Sequence, residues 1–258
     1  MPFDLVNLYT QLPLFALVAS RLAGLILFQP ILTSLAVPPN LRVLLVLGLA
    51  AMTTPFVSLP APAPDSPLAF LVAMGGELLL GAALGLASLV CFVGLQMGGL
   101  LIAQESGSAF GAIADPSTNE EMSELSVFYA QMGAVVFLIT GGHRVVLSIC
   151  LDSLTALPLL ADVNSLQRGA EVALNAATVG LELAVRVAAP TVLTLFLVNI
   201  AMGFISKALP QLNVLSVGFS MKSLIGFALI AASLPSAMTA FTEGLETTLD
   251  WAAEAIGK

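Results

Sequence analysis

The chain has 258 residues, of which 58% are apolar and only 9% carry a charge. A soluble domain keeps about 25% charged residues on its surface, so this composition indicates apolar surface that faces lipid or other apolar subunits. The formal net charge of -8 argues against nucleic-acid binding, which needs clusters of Lys and Arg. The chain is therefore predicted to be an integral membrane protein or a membrane-complex subunit.

Three apolar helical segments are predicted in the N-terminal half. The first lies near residues 12–28 and ends before a proline-rich turn, and the second covers residues 43–57. The third covers residues 68–104, and one helix of that length would reach about 55 Å, beyond a bilayer core of about 30 Å. This segment is either one long helix that leaves the membrane or two helices. The candidate break points are Gly75-Gly76 and Gly98-Gly99.

The C-terminal half is predicted to hold four more apolar segments. Segments 125–142 and 145–160 meet at the sequence GGHR, and segments 172–206 and 223–241 follow, the former with a candidate kink at Pro190. Residues 161–173 are polar and amphipathic, and they are predicted to link two helices. The expected fold is all-α, with six to eight long apolar helices in one domain, and eight Lys and Arg residues are too few to determine its topology.

Small residues line one face of the third segment. Steps of four and three residues place Glu77, Gly81, Gly85 and Ser88 on that face, and further along the segment the four-residue spacing is repeated by Gly94 and Gly98. Small residues at this spacing let two helix backbones approach closely. The pattern does not say whether the partner helix belongs to this chain or to another subunit.

Four charges lie inside apolar segments, and each costs about 2.5–3.5 kcal/mol at the centre of a membrane helix unless it has a partner or water. Glu182 and Arg186 are four residues apart and are predicted to pair on their own helix. Arg21 and Glu77 have no such neighbour. Structural pairing is the favoured interpretation, and a proton or ion site at Glu77 is the functional alternative.

Enzyme chemistry has little support in the sequence. The only histidine is His143, in a Gly-Gly turn, and no GxxxxGK[ST] loop is present. No histidine motif accompanies the acidic residues, so no metal site is expected. Cys91 and Cys150 lie in apolar runs and are predicted to be small core residues. The chain is expected to be non-catalytic and to need no cofactor.

Two polar stretches interrupt the apolar pattern. Residues 104–126 carry five acids and no Lys or Arg. The second stretch begins near residue 210. It predicts a polar hairpin turn whose side-chain amides satisfy backbone groups where two long helices end. Its residues are Pro210, Gln211, Asn213, Gly218 and Phe219.

Motifs in both halves resemble one family. They are SRLAGLILFQPILTSLAVPPNLRVLLVLGLA from residue 20, SGSAFGAIADPS from residue 106, FLITGGH from residue 137 and VNIAMGFISKALPQLNVLSVGFSMK from residue 198. In this order, over nearly the whole chain, they resemble the FliR family of bacterial flagellar export-gate proteins, which has a virulence type III secretion counterpart. One departure is Ser220, where many members carry Pro.

The resemblance implies a role in protein export. FliR assembles with FliP and FliQ into a helical gate, with FlhB around its base and FlhA in the surrounding machinery, and the gate passes unfolded flagellar subunits across the inner membrane. The resemblance also implies a FliP-like part over residues 1–165 and a FliQ-like helical hairpin over residues 166–258. The gate belongs to the flagellar basal body, and much of it lies on the periplasmic side.

The resemblance further implies that the loop after the long helix plugs the pore. The matching plug residues are Gly107, Ser108, Ala109, Phe110 and Gly111, and the loop is closed by Asp115 and Pro116. Small residues allow an extended backbone to fill a narrow lumen. Phe110 would add the apolar bulk of a hydrophobic constriction.

The sequence therefore predicts a non-catalytic core subunit of the flagellar export gate. A virulence secretion gate is the first alternative. The second is a small-solute secondary transporter that uses Glu77 and broken helices as a site at the bilayer midplane.

Overall fold

The computed structural model describes residues 5–33, 37–57, 66–107, 123–157, 159–160, 163–208 and 214–256. Within these residues the chain forms α-helices, one 3-10 turn at Thr54–Phe56 and no β-strand. The helices are α1 (Leu5–Phe28), α2 (Pro39–Thr53), α3 (Pro67–Ser106), α4 (Glu124–Ile139), α5 (Gly142–Ala156), α6 (Val163–Ala208) and α7 (Val214–Ile256). The predicted all-α fold is confirmed.

The start of two helices follows from local backbone chemistry. Pro39 is the first residue of α2, a position where its fixed φ suits the helix and its missing N–H is not needed. Gly141, with a φ of 76°, separates α4 from α5 in a left-handed conformation that glycine adopts without strain. The predicted break at GGHR is therefore confirmed, and His143 lies in the first turn of α5.

The long third segment is one helix. α3 has 40 residues, which at 1.5 Å per residue gives about 60 Å. Neither Gly-Gly pair breaks it, because a glycine inside a helix costs only about 1 kcal/mol relative to alanine. α6 with 46 residues and α7 with 43 are also longer than a bilayer core requires.

Two sequence predictions about the C-terminal half are wrong. The linker predicted over residues 161–173 is helical from Val163, because buried Ser165 and Val172, two turns apart, give this polar stretch an inward face. The last helix was expected to end at residue 241 but continues to Ile256. Buried residues at helical spacing hold that acidic tail in place, namely Leu245, Thr248, Leu249, Ala252 and Ile256.

Two compact units make up the chain. The first consists of Met1–Val90, Thr140–Thr178 and Leu245–Lys258, and the second of Cys91–Ile139 and Val179–Gly244. α3, α6 and α7 therefore each contribute residues to both units.

Each unit has its own core. In the first, Leu17, Val18 and Leu22 of α1 are fully buried. In the second, Phe92 packs edge-to-face against Phe137 and Phe241, with ring centroids 5.5 and 5.1 Å apart. Cys91 and Cys150 are both buried, as predicted for small core residues.

Large apolar surfaces remain exposed. Five helices are long and apolar enough to cross a membrane, and α4 with α5, bent by 66°, brings the number to six in the described residues. Only 11% of the residues of Pro39–Phe56, and 17% of an apolar 18-residue stretch within Asn164–Ala208, are buried within the chain. A soluble monomer does not expose apolar faces of this size, so the predicted membrane protein class is confirmed.

Candidate functional site

Glycines on α3 bring neighbouring helices of the same chain into backbone contact. In the first unit, a Cβ on Gly81 would overlap the carbonyl of Arg21, and one on Gly85 would lie 2.7 Å from the carbonyl oxygen of Leu25. Real Cβ atoms do not approach backbone atoms so closely, so only glycine permits this contact between α1 and α3.

Two more glycines of α3, four residues apart, lie in the second unit. A Cβ on Gly94 would overlap the carbonyl of Gly180, and one on Gly98 would lie 2.9 Å from Cγ1 of Val187. There the helix that approaches α3 is α6. The sequence pattern did not say whether the partner helix belongs to this chain or to another subunit. At all four glycines it is a helix of this chain.

The close contact between α1 and α3 aligns two opposite charges. Arg21 Nε donates a hydrogen bond of 2.5 Å to Oε2 of Glu77, and both side chains are fully buried. Glu77 lies one helical turn before Gly81, whose missing side chain lets the two helices meet. Each of these two charges was expected to need a partner, and the structure pairs Arg21 with Glu77.

Further hydrogen bonds surround this ion pair. Arg21 Nη1 donates to the carbonyl of Ser153 at 2.7 Å, to its Oγ at 3.2 Å and to the carbonyl of Leu157 at 3.5 Å. Glu77 Oε1 accepts from the backbone N–H of Leu160 at 2.9 Å. We call these five residues the buried ion-pair cluster: Arg21, Glu77, Ser153, Leu157 and Leu160.

The cluster binds residues at the end of α5 and just after it. Arg21 binds the carbonyl of Ser153, which also accepts from the N–H of Leu157, and the carbonyl of Leu157, the first residue after α5. Glu77 binds the N–H of Leu160, the one described residue other than glycine with a positive φ, 75°. A leucine in this conformation is unfavourable by itself, so the hydrogen bond to Glu77 helps to hold the turn.

The chemistry of the cluster is structural. Each carboxylate oxygen of Glu77 has a donor, and the charge of Glu77 is balanced by Arg21. Removing one partner of a buried pair leaves an uncompensated charge, which costs about 3–5 kcal/mol. A second buried contact joins the same helices at the turn after α1, where Ser88 Oγ donates to Oε1 of Gln29 at 3.1 Å.

The predicted pair of Glu182 and Arg186 does not form. Arg186 Nη1 instead donates to Oε2 of Glu243, on α7, at 2.9 Å. Both side chains are more than half exposed, at 53% and 59%. The sequence prediction was wrong because it considered only neighbours on one helix, while α7 places a carboxylate closer.

The predicted plug segment lies almost wholly outside the described residues. This holds for Ser108, Ala109, Phe110, Gly111, Asp115 and Pro116. Gly107 is described: it is buried, directly follows α3 and has a φ of 81°, which favours glycine.

The residues that flank the plug segment are held by hydrogen bonds in the second unit. Before it, Glu105 Oε2 accepts from the amide of Asn199 at 3.3 Å, and buried Ser106 faces Gly226 of α7. After it, buried Ser123 starts α4, with its Oγ accepting from the N–H of Leu125 at 3.3 Å. We call the flanking residues Glu105, Ser106 and Ser123, with the hydrogen-bond partner Asn199, the plug stem.

Of the predicted hairpin-turn residues, Pro210, Gln211 and Asn213 also lie outside the described residues. The structure places Gly218 and Phe219 within the first turns of α7 rather than in the turn. Both residues follow the start of α7 at Val214.

Several cluster and stem residues were not predicted from the sequence. Asn199, an amide inside an apolar segment, carried a signal that was not used. Backbone atoms make the contacts of Leu157 and Leu160, and Ser153 adds its hydroxyl to its carbonyl. Nothing in the local sequence distinguishes these residues from others of the same type.

Comparison with known proteins agrees with this architecture. Residues 12–248 match the family described as bacterial export proteins, family 1. The chain is 29% identical over 225 residues to the flagellar biosynthetic protein FliR of Escherichia coli K12, covering 83% of this chain and 82% of that protein. It is 28% identical over 215 residues to FliR of Aquifex aeolicus, covering 83% of each.

A virulence-type relative is similar to a comparable degree. The surface presentation of antigens protein SpaR of Shigella sonnei is 28% identical over 212 residues, covering 81% of this chain and 80% of that protein. Because the family match extends over nearly the whole chain, through every helix described above, the chain belongs to the bacterial export proteins, family 1, the FliR family that its motifs resemble.

Proposed function

We propose that the chain is a non-catalytic core subunit of the flagellar type III protein export gate in the bacterial inner membrane. It forms part of the wall of a pore through which unfolded flagellar subunits cross that membrane. The observation that carries this proposal is the family match over residues 12–248. It is supported by relatives named FliR that align over most of their own length.

The exposed apolar faces suit a subunit of a larger assembly. α2 and most of α6 leave their apolar side chains uncovered by this chain. In the proposed gate, FliP and FliQ homologues cover part of this surface and lipid covers the rest, while FlhB and FlhA homologues bind around it. Residues 1–165 are the proposed FliP-like part, and α6 and α7 are the helices of the proposed FliQ-like hairpin.

The transporter alternative has little support from the geometry. A midplane substrate site needs polar groups that a solute can reach. Glu77 is instead fully buried, bonded to Arg21 and to the backbone of Leu160. The charge on which the alternative rests is therefore engaged in holding the fold.

Co-purification tests the gate proposal. The full chain, expressed from its own gene cluster, is expected to purify with FliP and FliQ homologues in fixed stoichiometry. Deletion of the gene is expected to abolish flagella. Recovery of a folded monomer that binds a solute would contradict the gate. Intact flagella with loss of a virulence secretion system would place the chain in the virulence counterpart.

Gly107 to Gly111 form the proposed plug of this gate. The plug stem supports the assignment, since hydrogen bonds hold the residues on both sides of the segment while the segment is rich in small residues. Deleting residues 107–111 is expected to raise ion leakage through the assembled gate without loss of assembly, because the deletion removes the apolar bulk that excludes water.

A single substitution sharpens the plug test. Phe110→Ala is expected to raise leakage in part, because it removes the ring and leaves the backbone. Phe56→Ala is the matched control, since Phe56 is an exposed phenylalanine on a different element, at 84% exposure. Equal conductance of both variants, together with an unaltered conductance of the deletion, would reject the plug.

A further inference from the structure

A small cavity adjoins the buried ion-pair cluster in the first unit. Arg21 and Ser153 of the cluster line it, together with three residues of α6, namely Ser165, Arg168 and Gly169. The remaining lining residues are apolar: Leu80, Leu84, Leu157, Val172, Ala252, Ala255 and Ile256. Most of the lining therefore offers no hydrogen bond.

One buried polar group on this cavity lacks a partner among the described residues. Arg21 Nε and Nη1 are bonded, but Nη2 has no hydrogen-bond partner among the described residues, although the guanidinium is fully buried. Ser165 is 7% exposed, and it also lines the cavity. Guanidinium N–H groups remain donors at every physiological pH, so Nη2 needs an acceptor.

The size of the cavity restricts what can fill this role. About 20 Å³ is open to a water-sized group, and one water needs about 10–15 Å³. A lipid phosphate carries four oxygens and does not fit such a space. A single small acceptor does.

Charge then selects between a water and a halide ion. Glu77 already balances Arg21 through the adjacent Nε, and its carboxylate would repel an anion placed at Nη2. Arg168, the other cation on the lining, is an exposed residue, and solvent screens its charge. A water fits this environment, because it is neutral, can accept a hydrogen bond from Arg21 Nη2 and can donate one to a hydroxyl on the lining.

We propose that this cavity binds one ordered water, which accepts a hydrogen bond from Arg21 Nη2 and donates one to Ser165 Oγ. A buried water with two to four polar partners is a regular part of protein structure. Here the water completes the hydrogen bonds of the ion pair that holds the turn between α5 and α6. It is thus a structural ligand of the buried ion-pair cluster.

A density map of the complete chain in its purified assembly, at a resolution that shows waters, tests the proposal directly. A peak is expected within about 3.2 Å of both Arg21 Nη2 and Ser165 Oγ. A cavity without density would overturn the proposal. So would a peak that becomes stronger when bromide replaces chloride, because that result identifies an anion.

Stability in solution gives an independent test. Ser165→Ala is expected to lower the ratio of folded to unfolded protein about 10-fold, because it removes a partner of the water. Ser148→Ala is the matched control, since Ser148 is an exposed helical serine that bonds only to its own helix, at the carbonyl of Val145. Equal effects of the two substitutions would count against the bound water. In an Arg21→Met background, Ser165→Ala is expected to leave the ratio of folded to unfolded protein unchanged.

Discussion

The ion pair of Arg21 and Glu77 is expected to be the most sensitive pairwise contact in the first unit. Arg21→Met removes the cation while the carboxylate of Glu77 stays fully buried, with the N–H of Leu160 as one remaining donor. Breaking a buried pair in this way costs about 3–5 kcal/mol. Glu77→Gln is expected to cost a similar amount, because it leaves the guanidinium without its counter-charge.

The double variant separates pairing from general damage. With Met at position 21 and Gln at position 77, the cluster holds no buried charge, and the glutamine oxygen can still accept from Leu160. We therefore expect the double variant to cost at least about 2 kcal/mol less than the sum of the single variants, a coupling in the range measured for contacting residues.

The measurement is the free energy of unfolding of the full chain, extracted with its partners in mild detergent and followed through a denaturant titration. Arg186→Met is the matched control, because the pair of Arg186 and Glu243 has the same chemistry but is more than half exposed. It is expected to cost less than about 1 kcal/mol. Additive single-variant costs would refute the reasoning, since they would mean that the two charges do not stabilise each other.

Other contacts make further predictions. Gly81→Ala is expected to destabilise the chain by about 1–3 kcal/mol, because the new Cβ would overlap the carbonyl of Arg21. Gly75→Ala, on the same helix with nothing within 4 Å, is expected to be neutral or slightly stabilising in the same denaturant titration. Phe241→Ala is expected to cost about 3–5 kcal/mol through loss of its packing in the second core, and an unchanged unfolding midpoint would contradict that role.

Local pattern was enough to predict the class of the fold and most helix positions. Apolar runs free of charge identify membrane helices because a lipid environment penalises each exposed polar group separately. Gly141 marked the break between α4 and α5 for a local reason, since its backbone conformation favours glycine. The order of the motifs along the chain was enough for the family, which the match over residues 12–248 confirms.

Boundaries that depend on packing were not predictable in the same way. The polar residues at the start of α6 and the acids at the end of α7 resemble solvated ends when considered alone. They are helical because a few residues at helical spacing, Val172 and Leu249 among them, are buried by other helices. Tertiary packing supplies most of the stability of such helical ends.

By itself, the sequence determined which residues carry charge into the membrane segments and where small residues line α3. Only the tertiary structure decided their partners. The same spacing of glycines allows contact with any helix, and a charge can bind any opposite charge within reach, so the partner depends on which backbones come together. The approach of α1 to Gly81 brings Arg21 to Glu77, and the approach of α7 to α6 brings Glu243 to Arg186 in place of Glu182.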